Sequence, residues 1–272
     1  MRRLTWFNAT SLTLGFAFLY IPMIIVIIYS FNESRLVTVW GGFSTKWYGE
    51  LLRNQAFLEA AWVTAKVAFF SSIIATVLGT MGAYVLVRGG RFYGRTLFSG
   101  MMYAPLVMPE VITGLSLLLL FISIGLDRGM FTIILAHATF AMCYVSVVVS
   151  SRLVSFDRSV EEAALDLGCT PFEAFRLVTL PIIAPAVISG WLLALTLSLD
   201  DLVIASFVAG PSATTLPIKV FSSIRLGVSP EINALSTILI SIVTVGTITA
   251  SLMTKRAIVR QQKAEQLAEQ SA

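Results

Sequence analysis

Six long apolar runs, separated by short polar segments, set the pattern of this chain. They are Leu12–Phe31, Ala60–Val87, Leu97–Ile122, Met130–Ser150, Ile182–Val208 and Ala234–Met253. At 1.5 Å of helical rise per residue each is long enough to cross ~30 Å of hydrocarbon. The pattern predicts an all-α membrane protein with six transmembrane helices, forming one membrane domain over residues 1–272. The polar segment 151–181 differs from the other connections, because it is itself helix-forming. Ser159 with Glu162 three residues later reads as a capping box, and Gly168 after Leu167 suits the left-handed position that ends a helix. Thr170, Pro171 and Glu173 then start a second helix. Ala163, Ala164 and Leu167 share one face of the first helix. That face either lies on its own bundle or enters a groove on a partner.

Composition strengthens the membrane reading. Hydrophobic residues make up 57% and charged residues 12%, against about a quarter charged in soluble domains. The Met1-Arg2-Arg3 start resembles the head of a signal peptide. However, Leu12–Phe31 is longer than a typical signal core and no small-residue cleavage site follows, so an uncleaved first helix is expected. With the N-terminus inside, Arg2, Arg3, Arg88, Arg91, Arg95, Arg152, Arg158, Arg176, Lys255, Arg256, Arg260 and Lys263 fall on the cytoplasmic side, 12 of the 19 Lys and Arg residues. This bias places both termini and segment 151–181 in the cytoplasm of a multi-pass membrane protein. The net charge of +4 is then a topology signal and gives no reason to expect a nucleic-acid partner. Cys143 and Cys169 lie in different compartments of this topology and outside any metal-ligand spacing, so two free thiols are expected. Nothing in the sequence calls for a cofactor or metal.

Ionisable groups inside spans need a reason, since each costs roughly 2.5–3.5 kcal/mol on insertion scales. Counted along straight helices, Glu110 lies about 20 Å from the cytoplasmic end of the third span and His137 about 10 Å below the outer surface. Pro105 and Pro109 kink the third span just before Glu110 and free backbone carbonyls there, which suits a cavity wall. Glu110 therefore lines a pathway, or pairs with His137 or with a basic group on a partner. Asp200 and Asp201 sit near the outer end of the fifth span. Neighbouring positions point about 100° apart, so one can face a ligand while the other caps or pairs elsewhere.

Three connections refine the picture. Phe43–Tyr48 reads as a short capped helix with Trp47 and Tyr48 at headgroup level, serving as an anchor or as a partner contact. Gly89–Thr96, GGRFYGRT, approaches a phosphate-binding loop in wording. Arg95 replaces its lysine and no strand precedes it, so a tight turn with arginines at the lipid headgroups is expected. Segment Gly210–Pro230 contains Gly210-Pro211 and Pro217, which predict a loop or a re-entrant segment.

The polar segment also carries a long fixed-spacing pattern. Glu162-Ala163-Ala164, three residues, Gly168, nine residues, then Val178-Thr179-Leu180-Pro181 resembles the EAA loop of permease subunits of binding-protein-dependent ABC importers. Val178 stands where that family more often has Ile. Along nearly its whole length the chain resembles the spermidine/putrescine class. APLVMPEVITGLSLLLLF at Ala104–Phe121 and TLSLDDLVIASFVAGP at Thr196–Pro211 carry this, and Leu36–Tyr48 and Ser222–Ala234 look like the putrescine-transporting members. The resemblance implies a type I importer permease fold with no catalytic residues of its own. ATP would be hydrolysed on two copies of a separate ATP-binding subunit, beside a second related permease and a periplasmic polyamine-binding protein, within membrane lipid. It implies ATPase coupling through Glu161, Glu162, Ala163, Ala164, Gly168, Leu180 and Pro181. A polycation pathway would run past Glu110, Asp200, Asp201 and His137, since stripped ammonium groups need carboxylates. The competing readings are a permease for another small solute such as spermidine or an anion, a secondary transporter, and an intramembrane enzyme. The secondary transporter predicts inverted repeats, which the sequence lacks. The enzyme lacks any nucleophile–base or metal constellation.

Overall fold

The computed structural model describes residues 5–36, 39–227, 229–246, 248 and 249, and among these it is helical with no strand. The helices are α1 (Trp6–Ser30), α2 (Lys46–Arg53), α3 (Gln55–Arg88), α4 (Arg95–Val107), α5 (Glu110–Ser123), α6 (Met130–Ser155), α7 (Ser159–Asp166), α8 (Pro171–Ala174), α9 (Leu180–Asp200), α10 (Val203–Val208) and α11 (Leu216–Leu226). α12 (Pro230–Gly246) follows. A π turn, Phe175–Thr179, fuses α8 to α9. Among the described residues four continuous helices are long and apolar enough to cross a membrane: Trp6–Ser30, Gln55–Arg88, Met130–Ser155 and Pro171–Asp200. The bent pair α4–α5 passes the same test only when its two helices are taken together as one broken span, which brings the number up to five. α12 is apolar but shorter, and the remainder of the sixth expected span, with the charged tail from Lys255, lies outside the described residues.

Two spans depart from straight helices. The third bends by 119° between Val107 and Glu110. Met108 and Pro109 are both extended, at ψ 136° and 135°. A proline clashes with a helical residue before it, so Met108 must leave the helix, and Pro109 then serves as the N-cap of α5. The expected kink is thus a break, and the straight-helix depth counted for Glu110 does not apply. The fifth span ends at Asp200 instead of Val208. Asp201 is extended and α10 starts afresh at Val203.

The chain divides into two compact units. One comprises residues 56–222 and the other residues 1–55 with 223–272. In the first, α6 is the central element. It packs most extensively on α9 and also on α4 and α10, while α5 lies against α10. One apolar cluster joins Val67, Phe121, Ile133, Phe140, Ile204 and Val208. A second joins Ala75, Ala83, Val145, Val149, Leu153, Ile183 and Ala194. Small residues let the helices approach closely, as is usual where lipid supplies no hydrophobic drive between them. A Cβ on Gly79 of α3 would stand 2.6 Å from the Met142 carbonyl oxygen and 2.8 Å from Val145 Cβ on α6. Since both are core groups that cannot swing away, Gly79→Val should lower thermal stability by about 1–3 kcal/mol of overpacking. Thermal unfolding of the purified protein in detergent checks this, and an unchanged midpoint would show that α3 and α6 can separate freely.

In the other unit, α1 is apolar and almost wholly exposed. Trp47 was expected at headgroup level. Within the fold it is buried, and its indole N–H donates to the Asn32 carbonyl at 2.7 Å. Tyr48 shares a 2.7 Å hydrogen bond with Ser30, and Asn32 holds the loop through Val39 O and Gly41 N. The aromatic pair thus closes the loop onto the end of α1, because the indole N–H finds its acceptor inside the fold.

Candidate functional site: a coupling loop and a broken fifth span

α7 begins one residue before its expected start. Its N-cap is Arg158, whose side chain makes no capping bond, and Ser159 is the first helical residue. The Ser159 amide instead donates to Asp157 Oδ1 at 3.0 Å, a bond that holds the Asp157 carboxyl below the usual carboxylate range. Glu162 is therefore free of the cap and forms an exposed ion pair with Arg158, 3.1 Å, one turn away. The C-terminal end matches expectation. Gly168 takes φ +92°, its amide bonds to Leu165 O, and the Cys169 amide bonds to Ala164 O. Those two bonds define a Schellman motif, which requires the left-handed conformation a glycine adopts without strain. The second capping box is also present. The Glu173 amide donates to Thr170 Oγ1 and the Thr170 amide to Glu173 Oε2, with Pro171 at the first helical position.

The second loop helix is not separate from the fifth span. Leu180 N–H bonds back five residues to Phe175 O, and α9 continues from there. Pro181 cannot donate to the carbonyl one turn behind and its ring crowds it, so a widened turn relieves the conflict. Pro181 is exposed while Leu180 is partly buried against the second core cluster.

Of the expected apolar docking face, only Ala164 turns inward. Ala163 is exposed and Leu167 is 87% exposed. Phe172 and Leu177 are also largely exposed, so the loop offers bulky apolar groups outward. Glu161 behaves in the opposite way and is buried. Its Oε2 lies 2.8 Å from Arg88 Nε, a charge contact that is not aligned as a hydrogen bond, and its Oε1 accepts from Thr179 Oγ1 at 2.7 Å. Arg88 also donates from Nη2 to Phe156 O at 3.1 Å. Sequence reading missed Arg88 and Thr179 as partners of Glu161. Thr179 was legible within the spaced pattern, whereas nothing local marks Arg88.

The second cluster surrounds the break after α9. His137 on α6 is buried, with Nδ1 2.7 Å from Ser198 Oγ and Nε2 3.3 Å from Asp201 Oδ1. The Asp201 contact is close enough for an ion pair but is not aligned as a hydrogen bond. Ser71 on α3 donates to Ser198 Oγ at 3.0 Å. Asp201 Oδ1 also accepts the Ala205 amide at 2.8 Å and so caps α10. The two adjacent carboxylates diverge where the helix ends, with Asp200 exposed at the last position of α9 and the Asp201 side chain 6% exposed in the break. Glu110 is exposed at the first position of α5, where the helix dipole favours a carboxylate. The pairing considered between Glu110 and His137 does not occur, because the break at Pro109 redirects the chain and Asp201 takes the place at His137. Ser198 lies three residues before Asp201, on the same helix face, and that spacing is the signal that sequence reading passed over.

Comparison with known proteins decides the family. The sequence profile for the binding-protein-dependent transport system inner membrane component matches residues 75–260. The chain belongs to this family. It is 61% identical over 238 residues to the putrescine transport system permease protein PotI of Escherichia coli (strain K12), covering 85% of each chain. It is 43% identical over 244 residues to the spermidine/putrescine transport system permease protein PotC of the same strain, covering 90% of this chain and 92% of that protein. Among solved structures, a bacterial ABC transporter that imports alginate superposes with TM-score 0.69 at 19% identity, over 91% of this chain and 94% of that one. The MetNI methionine ABC transporter gives TM-score 0.60 at 18% identity, over 74% and 95%. These structures share the fold, the helical architecture expected of a type I importer permease. The chain is a transport subunit of an inner membrane importer, as its spaced loop pattern led one to expect.

Proposed function

We propose that this chain is the membrane permease subunit of a polyamine importer, carrying putrescine. The observation that carries the reading is the 61% identity to a protein named as a putrescine permease, extending over 85% of both chains. The chain forms one transmembrane permease domain with both termini cytoplasmic. It pairs with a second, related permease, two copies of an ATP-binding subunit and a periplasmic polyamine-binding protein. α7 and the start of α8 dock on the ATP-binding subunit, supported by the outward Leu167 and Phe172. Asp200 and Glu110 are the carboxylates offered to the passing ammonium groups, supported by their exposure. His137 and Asp201 act beneath them by holding the break between α9 and α10.

The test is uptake of radiolabelled putrescine by the assembled importer, with unlabelled spermidine as competitor. Asp200→Asn or Glu110→Gln should lower the uptake rate at least about tenfold, the equivalent of one ~1.4 kcal/mol interaction with the substrate charge. Assembly and docking of the binding protein should persist. Normal uptake in both variants would place the pathway elsewhere. Transport of spermidine in preference to putrescine would reassign the substrate.

A further inference from the structure

α7 has only two buried residues, Glu161 and Ala164, and its packing partners are α8 and the π turn. A helix so lightly packed transmits little movement through apolar contact alone. Glu161 supplies a different connection. One carboxylate oxygen meets Arg88 at the C-terminal end of α3, and the other accepts from Thr179 in the π turn that leads into α9. Arg88 is held in turn by the Phe156 carbonyl and lies over the Phe156 ring, 5.6 Å from its centre, just before α7. The carboxylate is thus the one point on α7 joined by short polar contacts to two spans. Burial makes the connection stiff. An uncompensated charge or an unmet hydroxyl in this place is strongly disfavoured, so the three groups must move together or break at high cost.

We propose that Glu161 is a positioning residue that carries movement of α7 into α3 and α9 together, and that it is not part of the surface that binds the ATP-binding subunit. This rests on the coupling-loop reading above, in which Leu167 and Phe172 face the ATP-binding subunit and Glu161 faces inward. The same segment therefore has two chemical sides. The exposed apolar side determines whether the subunits associate. The buried polar side determines whether association and its changes reach the spans.

The experiment uses the complete importer in proteoliposomes with its binding protein, and compares Glu161→Ala, Glu161→Gln, Thr179→Val and the Arg88→Gln/Glu161→Gln double variant. Two quantities are read: the ATP-binding subunit retained on purification, and ATP hydrolysed per putrescine imported. In Glu161→Ala and Thr179→Val the ATP-binding subunit should be retained at the wild-type ratio. ATP consumed per solute should rise about fivefold, the scale of a lost contact within a coupled network. The double variant should raise the ratio at least as much as Glu161→Gln alone, because Arg88 also holds the Phe156 carbonyl and ring; a ratio restored to wild type would overturn the proposal. A merely structural role would lower hydrolysis and import in proportion and leave their ratio unchanged, and that result overturns the proposal. Loss of the ATP-binding subunit from Thr179→Val, which removes one hydroxyl at near-constant volume, overturns it as well. Should Glu161→Ala fail to accumulate, Thr179→Val decides alone. Leu167→Asp tests the docking reading separately: if it retains the ATP-binding subunit, docking by α7 is wrong whatever Glu161 does.

Discussion

Asp201→Ala should lower the thermal stability of the protein markedly, while Asp200→Ala should leave it nearly untouched. The two residues are adjacent and chemically identical, so the contrast isolates environment. Asp201 is buried, faces His137 Nε2 at 3.3 Å and caps α10 through the Ala205 amide. Removing it leaves a buried imidazole with Ser198 as its remaining partner and an uncapped helix in the core. Leaving a buried polar group without its partner costs about 1–3 kcal/mol, and losing a cap costs about 1 kcal/mol. For a chain of this size that corresponds to a fall in the unfolding midpoint on the order of 10 °C. Ser198→Ala should give a smaller loss of the same kind, since it removes the hydroxyl joining Ser71 to His137. Thermal unfolding of the four proteins in detergent, with wild type as reference, checks the series. Equal midpoints for Asp200→Ala and Asp201→Ala would mean that the His137 cluster does not hold the break.

Gly168→Val should cost the importer most of its bound ATP-binding subunit, with Gly168→Asn close to wild type and Gly168→Ala between them. At φ +92° a β-branched residue is strained by about 1–3 kcal/mol, while Asn enters the left-handed region with less cost. An added Cβ would meet no atom within 4 Å, so the ranking reports backbone conformation alone and no steric clash. The strain is relieved by undoing the two bonds from Gly168 and Cys169 to Leu165 and Ala164, which frays the last turn of α7 and shifts Leu167. At about tenfold per 1.4 kcal/mol, retention of the ATP-binding subunit should fall by roughly one order of magnitude. Quantitative co-purification against wild type reads the effect. A flat series across Val, Ala and Asn would separate the docking surface from the left-handed turn.

The legible parts of this protein are those written in local or periodic terms. Gly168, Thr170, Pro171 and Glu173 announced their turn and cap because each acts on backbone groups within four residues. The Ser159 cap was misplaced for a related reason: Asp157, two residues earlier, offers a better acceptor to the same amide. Proline chemistry at Pro105 and Pro109 announced that the third span deviates, but not by how much. The 119° turn depends on both Met108 and Pro109 leaving the helix and on α5 finding a surface on α10. Glu161 carried a coupling expectation from its neighbours in the spaced pattern, yet its side chain points inward. The partner that decides this, Arg88, lies 73 residues earlier in the chain (a separation no local pattern records).

The sequence by itself determined that this is a helical membrane protein with a helix-forming loop of fixed spacing. Apolar run length, charge bias and turn chemistry each act within a single segment and need no knowledge of its neighbours. It also led one to expect that Asp200 and Asp201 do not face one ligand together, since neighbouring positions on a regular helix point about 100° apart. Only the tertiary structure decided which of the two goes inside. That choice depends on His137 from α6 and on Ser71 from α3, which meets Ser198, being brought to one point. The direction of a buried polar group is decided by which distant groups can satisfy it, and in this fold the break after α9 leaves Asp201 as the carboxylate within reach.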